Sequence, residues 1–101
     1  LPESALAGDS LAKQTLLDDY YFPLANHSTE LLTTLRRYLE HGGSLEATAK
    51  SLFVHANTVR YRLKRIQEAV GVDCTLPRTA FVMQVAMNIG LVQDAENGIR
   101  R

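Results

Sequence analysis

The residues able to do chemistry in this 101-residue chain crowd into one stretch. Between Leu52 and Gln67 stand Arg60, Arg62, Lys64 and Arg65, with no aspartate or glutamate among them. Asn57, Thr58 and Tyr61 are interleaved with these cations, and His55 and Ala56 come just before. Guanidinium and ammonium groups neutralise phosphates or read guanine, and an asparagine amide can pair with adenine through two hydrogen bonds. Thr and Tyr hydroxyls reach bases or phosphates, and an alanine is small enough to meet a thymine methyl. His55 can contact a phosphate, or it can cap the segment that follows and lock it.

No second constellation competes with this one. Cys74 is the single cysteine, which excludes an intrachain disulfide and any zinc site built on two or more thiolates. His27, His41 and His55 are far apart and have no carboxylate spaced to complete a ligand set. Asp18 and Asp19 are adjacent, and neighbouring helix residues point about 100° apart, so a solvated acidic face is expected rather than an acid–base pair. A lone thiol with no base nearby is a weak nucleophile, and Cys74 reads as a small loop or cap residue. No phosphate loop, dinucleotide fingerprint or GxSxG is present. The expectation is no enzyme, no metal and no cofactor.

Charge is segregated along the chain. The formal net charge is zero. Residues 1–30 carry Glu3, Asp9, Asp18, Asp19 and Glu30 against Lys13, while residues 50–72 carry Lys50, Arg60, Arg62, Lys64 and Arg65 against Glu68. The basic block can serve as a local footprint for a polyanion, or simply as a solvated helix face. The longest uncharged run, Thr79 to Gln93, is broken by Gln84, Asn88 and Gly90 and falls short of the roughly 20 apolar residues of a membrane span. Nothing at the start resembles a signal peptide, and the first residue is Leu1 rather than Met. A cytoplasmic piece of a longer protein is the expectation, with no membrane partner.

The elements that must position these groups read as helices throughout. The spacing predicts an all-α compact bundle of about five helices. The first is expected over Ser10–Tyr21, capped by Ser10 and ended before Pro23, which should push Phe22 out of the α region. The second runs Thr29–Glu40, capped by Ser28 and stopped by His41-Gly42-Gly43. The third runs Leu45–Leu52 after Ser44, and the fourth Ala56–Val70 before Gly71. The last runs from Pro77 to Val92, apolar on most sides, leaving a polar and frayed tail over residues 93–101.

A short helix, a three-residue connection (Phe53-Val54-His55) and a longer helix fit a helix-turn-helix unit. Small Ala49 lies where the second helix would cross the first, and Val54 can fill the space under the turn. Wound at about 100° per residue, Val59, Leu63, Ile66 and Val70 share one face. Asn57, Thr58, Tyr61, Lys64 and Arg65 fall on the other, with Arg60 and Arg62 on its shoulders, where Arg62 can instead make an intramolecular pair. This is the composition of a recognition helix, whose first turn, Ala56 to Arg60, would sit deepest in the major groove. An amphipathic helix with a merely basic solvent face has the same periodicity, and the small residue, the short turn and Asn57-Thr58 weigh against it.

The stretches LTTLRRYL (Leu32–Leu39), His41-Gly42-Gly43-Ser44 and LFVHANTVRYRLKRI (Leu52–Ile66) resemble the C-terminal helix-turn-helix domain of PucR-type transcriptional regulators. The unit is also similar to the DNA-binding end of the factor-for-inversion-stimulation family. Phe53 departs from the general helix-turn-helix pattern, which holds glycine in the turn. The resemblance covers about residues 28–92, preceded by a helical segment over 1–27 that packs on the bundle. It implies a dimeric bacterial transcription-factor domain that binds double-stranded DNA at a palindromic operator. In such regulators a separate N-terminal portion senses an effector. The expected DNA-binding residues are His55, Ala56, Asn57, Thr58, Arg60, Tyr61, Arg62, Lys64 and Arg65. Two other readings stay open: a protein-interaction bundle docking through the apolar last helix, and RNA binding through the same cations. RNA binding is the weaker of these, because single-strand readers usually offer aromatics on a sheet.

Overall fold

Serine caps and glycine stops set the boundaries in the middle of the chain. Ser28 Oγ accepts a hydrogen bond from Leu31 N–H at 3.1 Å, and Ser44 Oγ accepts from Ala47 N–H at 3.1 Å. Each side chain satisfies one amide that the first helical turn would otherwise leave unpaired. At the far end of the first of these helices, Gly42 and Gly43 take φ of +63° and +83°. The amide of Gly43 then returns to Tyr38 O at 2.9 Å.

The structure, a computed structural model, describes residues 2–101, with side chains from Gly8 onward. Helix α1 spans Pro2–Leu16 and runs through a π-helical turn, Leu17–Tyr21, into α2, Phe22–Ala25. Then come α3 (Thr29–Glu40), α4 (Leu45–Leu52), α5 (Ala56–Val70) and α6 (Pro77–Glu96). With α1, the π turn and α2 forming one continuous rod, the fold is an all-α bundle of five rods, and the described residues contain no strand.

Three sequence expectations are corrected at the ends of the chain. Ser10 is not a cap, because it lies inside α1. The first rod does not end before Pro23: Phe22 keeps helical angles, φ −64° and ψ −32°, and the rod continues to Ala25. The π turn is the physical reason. Phe22 N–H reaches back to Leu17 O, five residues away. The widened turn leaves room for the proline ring, and Pro23 sits in the first turn of α2, where its missing N–H is not needed. The last helix continues past Val92 to Glu96, and Ile99 N–H then closes on Asp94 O at 2.7 Å, so the tail begins tied rather than frayed.

Helices α3, α4 and α5 pack on one another, while α6 lies chiefly against the π turn. One core runs through both parts: Leu17, Tyr21 and Leu24, then Leu32 and Leu35, then Val59 and Ile66, then Met83 and Met87. The Tyr21 ring lies on Gly90, where an added Cβ would overlap it. The Tyr21 hydroxyl donates to Asp94 Oδ2, which also receives Arg101 Nε at 2.7 Å. Arg101 Nη1 goes on to Ala25 O at 2.7 Å. Burial and the Asp94 carboxylate together push the Tyr21 phenol up to about 12. Burial opposes ionisation of Asp94, but the hydrogen bonds from Arg101 and Tyr21 outweigh it and hold that carboxyl below its ordinary range. Burial pushes the Cys74 thiol up to about 11, with the neighbouring Asp73 charge adding to it, so this thiol is an inert core group.

Candidate nucleic-acid interface

The turn between α4 and α5 is built on one unusual residue. Phe53 ends α4 in the left-handed region, φ 57° and ψ 41°. Its amide donates to Lys50 O at 3.2 Å, and Val54 N–H donates to Ala49 O at 3.0 Å, which satisfies two carbonyls of the last turn of α4. A non-glycine residue in this conformation costs on the order of 1 kcal/mol. Buried Ala49 lets α5 approach closely, and half-buried Val54 packs against the core beneath the turn.

His55 starts α5. Its backbone is extended, φ −72° and ψ 150°, and Nδ1 accepts the Asn57 N–H at 3.0 Å. That cap occupies Nδ1 and leaves Nε2 as the ring nitrogen open to a partner. Val59, Leu63 and Ile66 then bury the inner face of α5. His55, Asn57, Arg60, Tyr61, Lys64 and Arg65 are exposed together on the outer side, while Ala56 and Thr58 are half-buried at its edge. Tyr61 is 61% exposed, so it does not pack beside the turn. Arg60 Nη1 donates to Asn57 Oδ1 at 2.9 Å, and Arg65 Nη1 donates to the Tyr61 hydroxyl at 3.2 Å. Tyr61 strengthens the hold of Arg65 on its proton. Asn57 keeps both Nδ2 hydrogens and a second lone pair on Oδ1 for a partner.

Arg62 stands apart from the group. Its side chain is only 18% exposed and turns to α3, with Nη2 3.4 Å from Glu30 Oε2 and Nη1 3.4 Å from Thr34 Oγ1. Of the two roles open to it in the sequence, this geometry realises the intramolecular pair. Arg60, Lys64 and Arg65 have no ion-pair partner among the described residues. No cluster of three or more metal-ligating side chains occurs among the described residues.

A short helix, a tight left-handed turn and a second helix with a cationic, amide-bearing outer face define a helix-turn-helix domain. The chain belongs to the PucR C-terminal helix-turn-helix family, whose profile matches residues 31–89. It is 52% identical over 90 residues to an uncharacterized protein of Mycobacterium tuberculosis, covering 89% of this chain and 22% of that protein. It is 41% identical over 59 residues to the purine catabolism regulatory protein of Bacillus subtilis, covering 58% of this chain and 11% of the relative. The crystal structure of a regulator of polyketide synthase expression from Bifidobacterium adolescentis superposes with a TM-score of 0.80 at 45% identity. That match covers 92% of this chain and 39% of the other. The chain therefore spans about a fifth of the mycobacterial relative's length. The family is one of transcriptional-regulator domains and not of enzymes.

Two features escaped the sequence reading. The exposed, left-handed Phe53 was signalled by an aromatic where the general motif holds glycine. The Tyr21–Asp94–Arg101 network had no local signal, since Tyr21 and Asp94 lie 73 residues apart. No described helix is long and apolar enough to cross a membrane.

Proposed function

We propose that this domain binds double-stranded DNA sequence-specifically, with α5 as the recognition helix in the major groove. The observation that carries this reading is the outer face of α5. It presents Asn57, Arg60, Tyr61, Lys64 and Arg65 to solvent beside a capped turn, and Arg60, Lys64 and Arg65 have no carboxylate partner among the described residues. Asn57 would read a base edge, His55 Nε2–H and Lys64 would hold phosphates, and Ala56 and Thr58 would line the first turn in the groove. Arg62 would orient α5 through α3. The domain would work as a homodimer in the bacterial cytoplasm, on a palindromic operator with half-sites about 34 Å apart. An effector-sensing portion N-terminal to it would control that binding.

The test is selection from random duplex DNA followed by titration of the enriched duplex at two salt concentrations. A palindromic motif with steep salt dependence is expected. No enrichment by folded protein at low salt would refute the reading. A second role has its own observation: α6 leaves Phe81 and Val92 exposed. A docking domain working through α6 would lose partner binding on Phe81→Ser and be indifferent to Asn57→Ala.

A further inference from the structure

We infer that Phe53 is an apolar DNA contact, meeting a thymine methyl or a deoxyribose face at the edge of the groove entered by α5. This rests on the DNA-binding reading and adds a residue to it. Phe53 satisfies neither of the usual reasons for a phenylalanine. Its ring is 94% exposed, so it contributes nothing to the core. Its backbone, at φ 57°, is one that glycine or asparagine would adopt with less strain. The ring makes no aromatic stacking contact among the described residues. The left-handed turn closes α4, but the ring itself has no aromatic partner among the described residues; a strained backbone that holds out a bare aromatic ring is a combination that collects at binding sites.

The surroundings of the ring select the partner. From Lys50 to Gln67 the chain carries Lys50, Arg60, Arg62, Lys64 and Arg65 and no carboxylate. Phosphates are the electrostatic complement of a segment that carries five cations and no carboxylate, so an apolar ring within that segment suits a nucleic-acid partner. DNA offers the matching pattern, with apolar methyls and sugar faces between phosphates. Reach is sufficient: two residues span at most roughly 7 Å, so Phe53 stays beside the His55 cap and the first turn of α5.

The experiment uses the whole chain and the duplex enriched from the random pool, with Phe53→Gly and Phe53→Asn, both tolerant of the left-handed backbone. Each variant should melt no lower than the parent. Each should bind the enriched duplex about tenfold more weakly, the loss expected for uncovering roughly half of a buried phenylalanine. The salt slope should not move, because no charge is removed. Replacing thymines by uracil should weaken the parent but not Phe53→Gly if a methyl is the contact, and affect both alike if the sugar face is. Binding by both variants within about twofold of the parent would overturn the inference, and so would a melting loss that marks the ring as structural. If Asn57→Ala loses binding while Phe53→Gly does not, only this inference falls. If the parent enriches no duplex, the DNA reading falls and takes this one with it.

Discussion

The two parts of the bundle are held together by different means. In α3, α4 and α5 the fixing devices are local. Ser28 and Ser44 cap their own helices, His55 caps α5, and left-handed residues at 42, 43, 53 and 71 close the helix ends. Around the π turn and α6 the devices are distant. Tyr21 needs the bare backbone of Gly90, Asp94 ties α6 to Tyr21, and Arg101 reaches Ala25. The two also differ in where their polar groups go. The helix-turn-helix unit leaves amide, phenol and cations in water on one face of α5, whereas the Tyr21, Asp94 and Arg101 side chains spend their polar groups on one another and on Ala25 O. Damage to the scaffold should therefore register in stability, and damage to the outer face of α5 in DNA affinity.

The sharpest break is at Asp94. Asp94→Ala leaves the Tyr21 hydroxyl and the Arg101 guanidinium without their shared acceptor, and loss of one partner of a buried pair costs about 3 kcal/mol. For a domain of this size that lowers the melting temperature by on the order of 10–20 °C. Gly90→Ala should act in the same direction by driving a methyl into the Tyr21 ring. Thermal unfolding by circular dichroism measures both. A drop of only a degree or two for Asp94→Ala would mean that the network does not hold α6 in place.

The converse break is on α5. Asn57→Ala and Arg65→Ala remove exposed groups whose side-chain hydrogen bonds, among the described residues, go to Arg60 and Tyr61 on the same helix. Stability should stay within about 0.5 kcal/mol of the parent. Affinity for the enriched duplex should fall about 10- to 100-fold, the scale of one lost base-reading pair. A variant that melts early and still binds would invert the assignment of roles.

Acidity sharpens the same contrast. The carboxyl of Asp94 is held below its ordinary range in the folded state, so its contribution is present above the unfolded value near pH 4 and lost as pH falls further. Tyr21 runs the other way. Its phenol is raised to about 12, so its contribution is complete below the ordinary value of 10.0 and lost as pH climbs toward 12. Stability measured by urea unfolding across pH should fall at both ends, and Tyr21→Phe should shrink the alkaline limb, leaving the share that comes from Cys74 and Tyr38, which burial also raises. An unchanged alkaline limb in that variant would place its source elsewhere.

The same division explains what could be read in the sequence. The expected limits of α3, α4 and α5 match the structure because serine, histidine and glycine mark them locally. At the first rod the local signals misled. Ser10 is a good cap residue lying in a helix, and Pro23 is a helix breaker lying just after a π turn that accommodates it. The π turn carries the Tyr21 ring that packs on Gly90, a contact with α6 that no window around Pro23 contains. The candidate site was legible for a matching reason. The inner and outer faces of α5 follow from helical period alone, and Asn57, Tyr61, Lys64 and Arg65 lie on the exposed side as expected. What the period could not settle was a shoulder residue, where a long side chain can turn either way.

Arg62 is that residue, and it carries the smallest predicted effect. By type it belongs with the exposed cations of α5, and by geometry it belongs to the scaffold, linking α5 to Glu30 and Thr34 of α3. Glu30 is 67% exposed, so the pair is screened and worth at most about 1 kcal/mol. Arg62→Ala should lower the melting temperature by a few degrees, roughly 4–8 °C at the upper limit. Binding should weaken only slightly, and the slope of log affinity against log salt should stay as in the parent. Lys64→Ala, which removes a free cation, should instead reduce that slope by about one. Glu30→Ala separates the two roles further, because it frees the guanidinium without removing it. If Arg62→Ala flattens the salt slope as Lys64→Ala does, and Glu30→Ala tightens binding, then Arg62 leaves α3 for a phosphate when DNA arrives. The boundary between scaffold and reader would then run through this side chain rather than beside it.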